Sequence, residues 1–264
     1  MRRHLILASA VSLAVIALSA CSSGSDQPAP DPSPTQVTDD AAYLAAVADP
    51  ARSDADRDSD ATRKPTELLG FAEITKGEKV GDYVMGGGYL TKLLAATVGE
   101  TGRVYAFQPD EFIAFRGEYA TEQDAAVAPY RNVTALRGPI AAPPFPEPLD
   151  TIITVMNFHD LYLKPMPADT GSKASAALFA ALKPGGTLVV VDHAAMAGSG
   201  TSAADPLHRI DKQAVIDALT KAGFALEQES PLYARQDDPH TANVFDSAIR
   251  GKTDQFALRF RKPA

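Results

Sequence analysis

The chain has a single cysteine, Cys21, among its 264 residues. That excludes an internal disulfide and leaves the rest of the chain without a thiol nucleophile. No Gly-x-Ser-x-Gly elbow occurs, which argues against a serine hydrolase of that type. A P-loop with its lysine is missing too. No histidine pair has local ligand spacing such as His-x-x-x-His, so no metal site is expected. Metal-dependent chemistry would need ligands gathered entirely by the fold. An excess of basic residues is also lacking. The net charge is −8, a poor match for a nucleic-acid backbone or an anionic lipid surface. No internal repeat is apparent.

Only one long apolar run is present, from Leu5 to Ala20. Arg2 and Arg3 precede it and small residues close it, the pattern of a secretory signal peptide. It is short for a transmembrane span. Leu18-Ser19-Ala20-Cys21 resembles the bacterial lipobox. The resemblance implies that Cys21 becomes the lipidated first residue of the mature protein. Ser22 follows it rather than Asp, which implies outer-membrane delivery. The expected location is the bacterial cell envelope, lipid-anchored and facing the periplasm. Loss of the leader removes Arg2 and Arg3 and makes the chain more acidic. Ser22 to about Thr38 is rich in Ser, Pro, Asp and Gly and reads as a flexible tether. The expected organisation is a leader over 1–20, a lipidated cysteine and tether over 21–39, and one folded domain over 40–264. At 45% hydrophobic residues, the chain can bury one sizeable core.

That domain is organised around Val80-Gly81-Asp82-Tyr83-Val84-Met85-Gly86-Gly87-Gly88-Tyr89-Leu90. A short apolar strand runs into a glycine-rich turn, and Leu90, Leu93, Leu94, Thr97 and Val98 follow at helical spacing. Strand, glycine turn and helix make the first half of a nucleotide-binding βαβ unit. Gly86 and Gly88 let the backbone turn sharply and approach a ligand. The second strand, Val104 to Phe107, ends at Gln108, where such folds place a side chain that hydrogen-bonds a ribose.

Around this unit, strands and helices alternate. Asp49 to Lys64 is densely charged and reads either as a solvated segment or as a lid over a ligand site. The fourth strand, Asp150 to Met156, is nearly continuous in apolar and β-branched residues, as expected for burial on both faces. It ends in Asn157-Phe158-His159-Asp160. Lys183-Pro184-Gly185-Gly186 stops an alanine-rich helix, and Thr187 to Val191 is a fifth buried strand ending in Asp192-His193. Asp211 is a candidate N-cap and Gly223 a candidate stop for the next helix. Phe256, Leu258 and Phe260 alternate on a last strand. The class is α/β with a mainly parallel sheet.

The glycine turn, the buried fourth strand opened by Asp150 and the Lys183-Pro184-Gly185-Gly186 element resemble class I S-adenosylmethionine-dependent methyltransferases. The resemblance covers roughly residues 65–263. Asn157-Phe158-His159-Asp160, Asp192-His193-Ala194-Ala195, Leu207-His208-Arg209-Ile210-Asp211 and Arg250-Gly251-Lys252-Thr253-Asp254-Gln255-Phe256 are similar to a group of bacterial predicted methyltransferases. The resemblance implies a Rossmann-like fold with a central seven-stranded, mainly parallel sheet, an antiparallel last strand and helices on both faces. It also implies S-adenosylmethionine as cofactor. The family loop reads acid-x-Gly-x-Gly-x-Gly; here Val84 replaces the first glycine, and Gln108 stands where an acid is usual.

The resemblance assigns Asp82, Gly86, Gly88, Tyr89, Gln108 and Asn157 to the cofactor. His159 and His193 follow adjacent parallel strands in the implied topology and should open onto one crevice. Either can serve as general base near neutral pH, with Asp160 or Asp192 as orienter. His208, Arg209 and His240 lie in loops that reach the same mouth, as candidate substrate contacts. The expected activity is methyl transfer to a small-molecule acceptor. The alternatives are a small-ligand-binding protein without catalysis, and a metal-dependent enzyme using the same His/Asp crevice.

Overall fold

The computed structural model describes residue 1 and residues 34–264, with side chains from residue 40 onward. The expected leader, Cys21 and most of the expected tether lie outside these residues. In chain order the elements are α1 (Pro34–Val47), α2 (Asp54–Asp58), α3 (Asp60–Arg63), α4 (Pro65–Ala72), β1 (Lys79–Tyr83), α5 (Tyr89–Val98), β2 (Arg103–Pro109), α6 (Asp110–Phe115), α7 (Glu118–Val127), β3 (Val133–Gly138), β4 (Leu149–Val155), a 3-10 turn (His159–Tyr162), α8 (Thr170–Ala181), β5 (Leu182–His193), α9 (Ala204–Leu207), α10 (Lys212–Ala222), β6 (Ala225–Ser230) and β7 (Gln255–Arg261). Helix α1 begins at Pro34, inside the stretch read as tether.

The strands form one seven-stranded sheet in the order β3-β2-β1-β4-β5-β7-β6. β7 runs antiparallel to both of its neighbours, β5 and β6; the other strand pairs are parallel. The expected Rossmann-like architecture is therefore the observed one. β1 and β4 are adjacent, yet the chain leaves β1 toward β2 on one side and leaves β4 toward β5 on the other. This reversal of winding direction opens a crevice beyond the carboxyl ends of the strands.

Packing explains the central strands. Leu188 and Val190 of β5 face one layer, with Leu178 of α8 and Val215 and Leu219 of α10. Val189 and Val191 face the other, with Leu69 of α4 and Leu93, Leu94 and Val98 of α5. Each fully buried side chain of this size is worth about 1.5–3 kcal/mol, so a strand covered on both faces anchors its carboxyl end firmly. Helix α8 ends at Ala181, and Lys183–Gly186 lies inside β5 as an irregularity: the register with β4 jumps from Leu149↔Leu182 to Thr151↔Thr187. Asp211 does cap α10, accepting from the Gln213 N–H, and Gly223 ends that helix in a left-handed conformation.

The charged stretch from Asp49 to Lys64 leaves Asp54, Arg57 and Asp58 exposed but is anchored to the domain through other charged residues. Arg52 is buried and forms an ion pair with Asp60. Asp60 also accepts from the Tyr89 hydroxyl at 2.7 Å, and Asp56 pairs with Lys92 at 2.7 Å. These bonds fasten α2 and α3 onto α5, directly beside the glycine turn. Among the described residues no helix is long and apolar enough to cross a membrane.

Candidate active site

A cavity of about 900 Å³ opens where β1, β4 and β5 end. Such a volume lies at the upper end of small-molecule sites. One wall is the turn after β1. Val84 has φ 66°, a left-handed value that a β-branched residue rarely adopts. The backbone keeps a glycine-like conformation although the side chain is valine, and that side chain is itself buried. Gly86 is also left-handed, and a Cβ added there or at Gly87 would meet nothing within 4 Å. Both line the cavity, so these positions leave room rather than fill it.

Gly88 has a different job. A Cβ there would sit 2.4 Å from the Ala126 Cβ, so its bareness lets α5 pack on α7. It is a packing glycine and not part of the cavity wall. Gln108 also departs from its expected role. It is fully buried, and its Oε1 accepts from the Gly86 N–H at 3.0 Å. It braces the turn from behind and does not line the cavity. Its Nε2 has no partner among the described residues. On the β2 side, an acid that lines the cavity is Glu111, in the first turn of α6; one of its oxygens accepts from the Ile140 N–H at 2.9 Å. Sequence reading stopped at the strand end and missed it, as it missed Gly87.

Asp82 lies under the same turn and accepts from the Thr91 hydroxyl at 2.5 Å. Burial raises its carboxyl to about 6 against the pull of that hydrogen bond. The Tyr89 ring lines the cavity, with the Arg63 guanidinium 4.6 Å from its centre. Arg63, Ala55, Asp56 and Ser59 close the cavity from above, which places the charged N-terminal stretch over the site.

The opposite wall is ionisable. Asp192, at the end of β5, is completely buried. It accepts from the His159 backbone N–H at 2.7 Å, from the His193 N–H at 2.7 Å, and lies 2.8 Å from His159 Nδ1. Burial would raise this carboxyl, but the adjacent His159 outweighs it and holds it low. Burial likewise works against a charged His159, yet Asp192, with Asp160 behind it, lifts that ring to about 9. Asp160 is raised, because burial outweighs the attraction of His159. Its Oδ2 accepts from Asn157 at 3.0 Å and its Oδ1 lies 3.3 Å from His159 Nε2. His208 Nδ1 is 3.3 Å from the same Nε2. The two rings meet edge to face, with centroids 5.4 Å apart. His193 bonds elsewhere: its Nδ1 is 2.8 Å from Thr253 Oγ1. Burial pushes His193 down to about 4 despite Asp192, helped by the neighbouring His159 and Arg209. Burial and the charge of His159 lower His208 as well. The structure thus brings His159, Asp160, His193, His208 and Asn157 to one cavity, with Asp192 behind them.

Two expected substrate contacts do not reach it. Arg209 is completely buried, with its guanidinium on Asp238 at 2.8 and 3.1 Å and on the Ala194 and Ala242 carbonyls. With its donors spent inside the protein, it fastens the β7-side loop to the end of β5. His240 pairs with Asp254 at 2.9 Å outside the cavity wall. Both were placed at the mouth from their position in sequence, and tertiary pairing turned them away.

No protein-family model matches the chain, and no curated protein matches it. Solved structures do. An S-adenosylmethionine-dependent methyltransferase from Aquifex aeolicus is 21% identical, with 77% of this chain and 93% of that one covered at a TM-score of 0.54. An arsenic(III) S-adenosylmethionine methyltransferase from Chlamydomonas reinhardtii is 18% identical, covering 84% and 73%, TM-score 0.52. The N-methyltransferase NodS from Bradyrhizobium japonicum is 14% identical, covering 75% and 94%, TM-score 0.52. The fold of this chain is that of the Rossmann-like class I methyltransferases.

Proposed function

We propose that this chain transfers a methyl group from S-adenosylmethionine to a small-molecule acceptor, and does so as a lipid-tethered protein of the cell envelope. One observation carries the reading. The two bare wall positions, Gly86 and Gly87, face the same cavity as His159, Asp160, His193 and His208. The residues fit a nucleoside ligand: an unfilled glycine wall, an acid at the start of α6 and a volume sufficient for cofactor and acceptor together.

Gly86, Gly87, Glu111, Asp82 and Asn157 would hold the cofactor, with Tyr89 and Arg63 closing over it. When bound, it supplies a methyl group on a sulfonium sulfur, an electrophile that needs an in-line nucleophile. The chain's own residues supply position and proton transfer. His193 is neutral at physiological pH. Its Nδ1 lies 2.8 Å from Thr253 Oγ1; in the tautomer that donates there, Nε2 keeps a lone pair for the proton of the acceptor. Asp192 is a positioning residue: it holds the His159 backbone and ring together, so that His159 and Asp160 form a fixed polar floor. The α2–α3 cap limits water entry above that floor.

Calorimetric titration of the mature chain with S-adenosylmethionine tests the reading. Saturable heat at one site is expected, and no heat at millimolar ligand overturns it. The tether rests on Leu18-Ser19-Ala20-Cys21 and is tested separately. Cys21→Ala should abolish incorporation of labelled palmitate and release the protein from membranes.

A further inference from the structure

Three electron-rich side-chain atoms converge on one point of the histidine wall. His159 Nε2, an Asp160 carboxylate oxygen and a His208 ring nitrogen all lie within 4.8 Å of one another. His159 Nε2 is 3.3 Å from Asp160 Oδ1 and 3.3 Å from His208 Nδ1. A four-coordinate ion with bonds near 2.0–2.1 Å holds its ligands about 3.3 Å apart. Proton accounting leads the same way. Asp192 can only accept from His159 Nδ1, so that nitrogen carries the ring's proton. Nε2 is thereby turned toward Asp160 and His208, and the cation those groups share, a proton or a metal ion, sits on that side of the ring.

The supporting groups are arranged as metal ligands require. A buried carboxylate behind Nδ1 fixes the tautomer and orientation of His159. Asn157 takes Asp160 Oδ2 and leaves Oδ1 toward His159. His208 is delivered from a backbone held at φ 52° at the end of α9, a left-handed conformation that costs energy and recurs at functional sites. Its ring is steadied by Phe245, with centroids 4.8 Å apart. The residues come from the ends of two separate elements, so no local spacing announces them.

We propose that His159 Nε2, Asp160 and His208 Nδ1 bind one divalent first-row transition ion, with Zn²⁺ the first candidate. Two imidazoles and one carboxylate suit such an ion better than Mg²⁺ or Ca²⁺. All three ligands line the cavity, so the remaining coordination positions open toward the bound molecule. A hydroxyl ligated there would ionise more readily than in bulk water. Joined to the methyl-transfer reading, on which this clause alone rests, the site selects an oxygen acceptor.

The test uses Co²⁺ on the metal-stripped mature chain without S-adenosylmethionine. One equivalent should bind saturably and give the intense visible bands of four- or five-coordinate cobalt. Zn²⁺ should displace it. His208→Ala should weaken binding by at least about tenfold, and Asp192→Asn by about 10–100-fold through the ring it orients. His240→Ala, outside the cluster, should bind as the parent does. His208 is half-exposed on a loop, so its variant is the one read if His159→Ala does not fold; an unchanged circular dichroism spectrum checks it. Absence of saturable Co²⁺ binding overturns the proposal, as does undiminished binding by His208→Ala; the ring is then simply charged by a proton. Cofactor heat without cobalt binding sinks the metal and leaves methyl transfer standing. Cobalt binding without cofactor heat does the reverse.

Discussion

The two walls of the cavity are made of different material. The turn from Val84 to Gly88 is backbone and missing side chains, braced by the Gly86 N–H on buried Gln108 and by the Met85 and Gly88 N–H groups on backbone carbonyls. The wall at the ends of β4 and β5 is a set of ionisable groups that hold one another through Asp192. The first wall works by shape, so added atoms should damage it and changes of charge nearby should matter less. The second works as a network, in which removing one member leaves the others buried without partners.

The largest effect is expected where the network is densest. Asp192→Ala removes the acceptor for two backbone N–H groups and the counter-charge of His159. Breaking a buried pair from one side costs about 3–5 kcal/mol. Chemical denaturation should show a loss of that order, whereas a loss below about 1 kcal/mol would mean that the groups are not a network. On the shape wall, Gly87→Leu should do the opposite: little change in stability, with S-adenosylmethionine binding weakened at least about 100-fold, equivalent to roughly 2.7 kcal/mol. Gly87 is outside the left-handed set and its Cβ would face open space, so the added side chain enters the cavity without straining the turn. Gly117→Leu is the control, because Gly117 is also open, has an ordinary φ of −57° and does not line the cavity. Equal binding by both variants would move the cofactor elsewhere.

The same contrast explains what could be read in advance. Strands with continuous apolar runs, such as Leu188–Val191, announce burial on both faces, and their alternation with helices announces a mainly parallel sheet; the topology itself is what the family resemblance implies. Asp211 and Gly223 announce helix ends because capping is local chemistry. The glycine turn is legible for the same reason, since φ > 0 and close approach are local demands. The histidine wall is only half legible. That His159 and His193 share a crevice follows from adjacent strands, but which partner each ring takes depends on packing. Arg209 found Asp238, and His240 found Asp254. Gln108 turned inward to the Gly86 amide, and the cavity acid on the β2 side came from Glu111, three residues beyond the strand position that carries the expectation. The charged N-terminal stretch became a cap because Asp56 and Asp60 meet Lys92 and Tyr89, partners that no periodicity reveals.

Asp82 lies beneath the shape wall yet is ionisable, so it measures how far the division holds. Its folded carboxyl titrates at about 6, above the ordinary value of 3.8, because burial outweighs the Thr91 hydrogen bond. The native state therefore holds the proton more tightly than the unfolded chain. Its contribution is fully present below about pH 4 and declines as pH rises toward 6, by on the order of 2–3 kcal/mol at most. Asp82→Asn should flatten that part of the stability–pH curve. An unchanged slope between pH 4 and 6 would show that Asp82 is as solvated as a surface acid.

The smallest effect is expected at Val84. Its left-handed φ costs about 1–3 kcal/mol for a non-glycine residue. Val84→Gly recovers that cost but loses a buried side chain and gives the unfolded chain more freedom. These nearly cancel, so stability should change by less than about 1 kcal/mol in either direction. Val191 in β5 is equally buried, but its backbone is an ordinary extended strand. Val191→Gly has no strain to recover and should cost more than about 3 kcal/mol. Comparable losses at the two positions would mean that the turn after β1 carries no strain, and that the valine is as well suited to its place as a glycine.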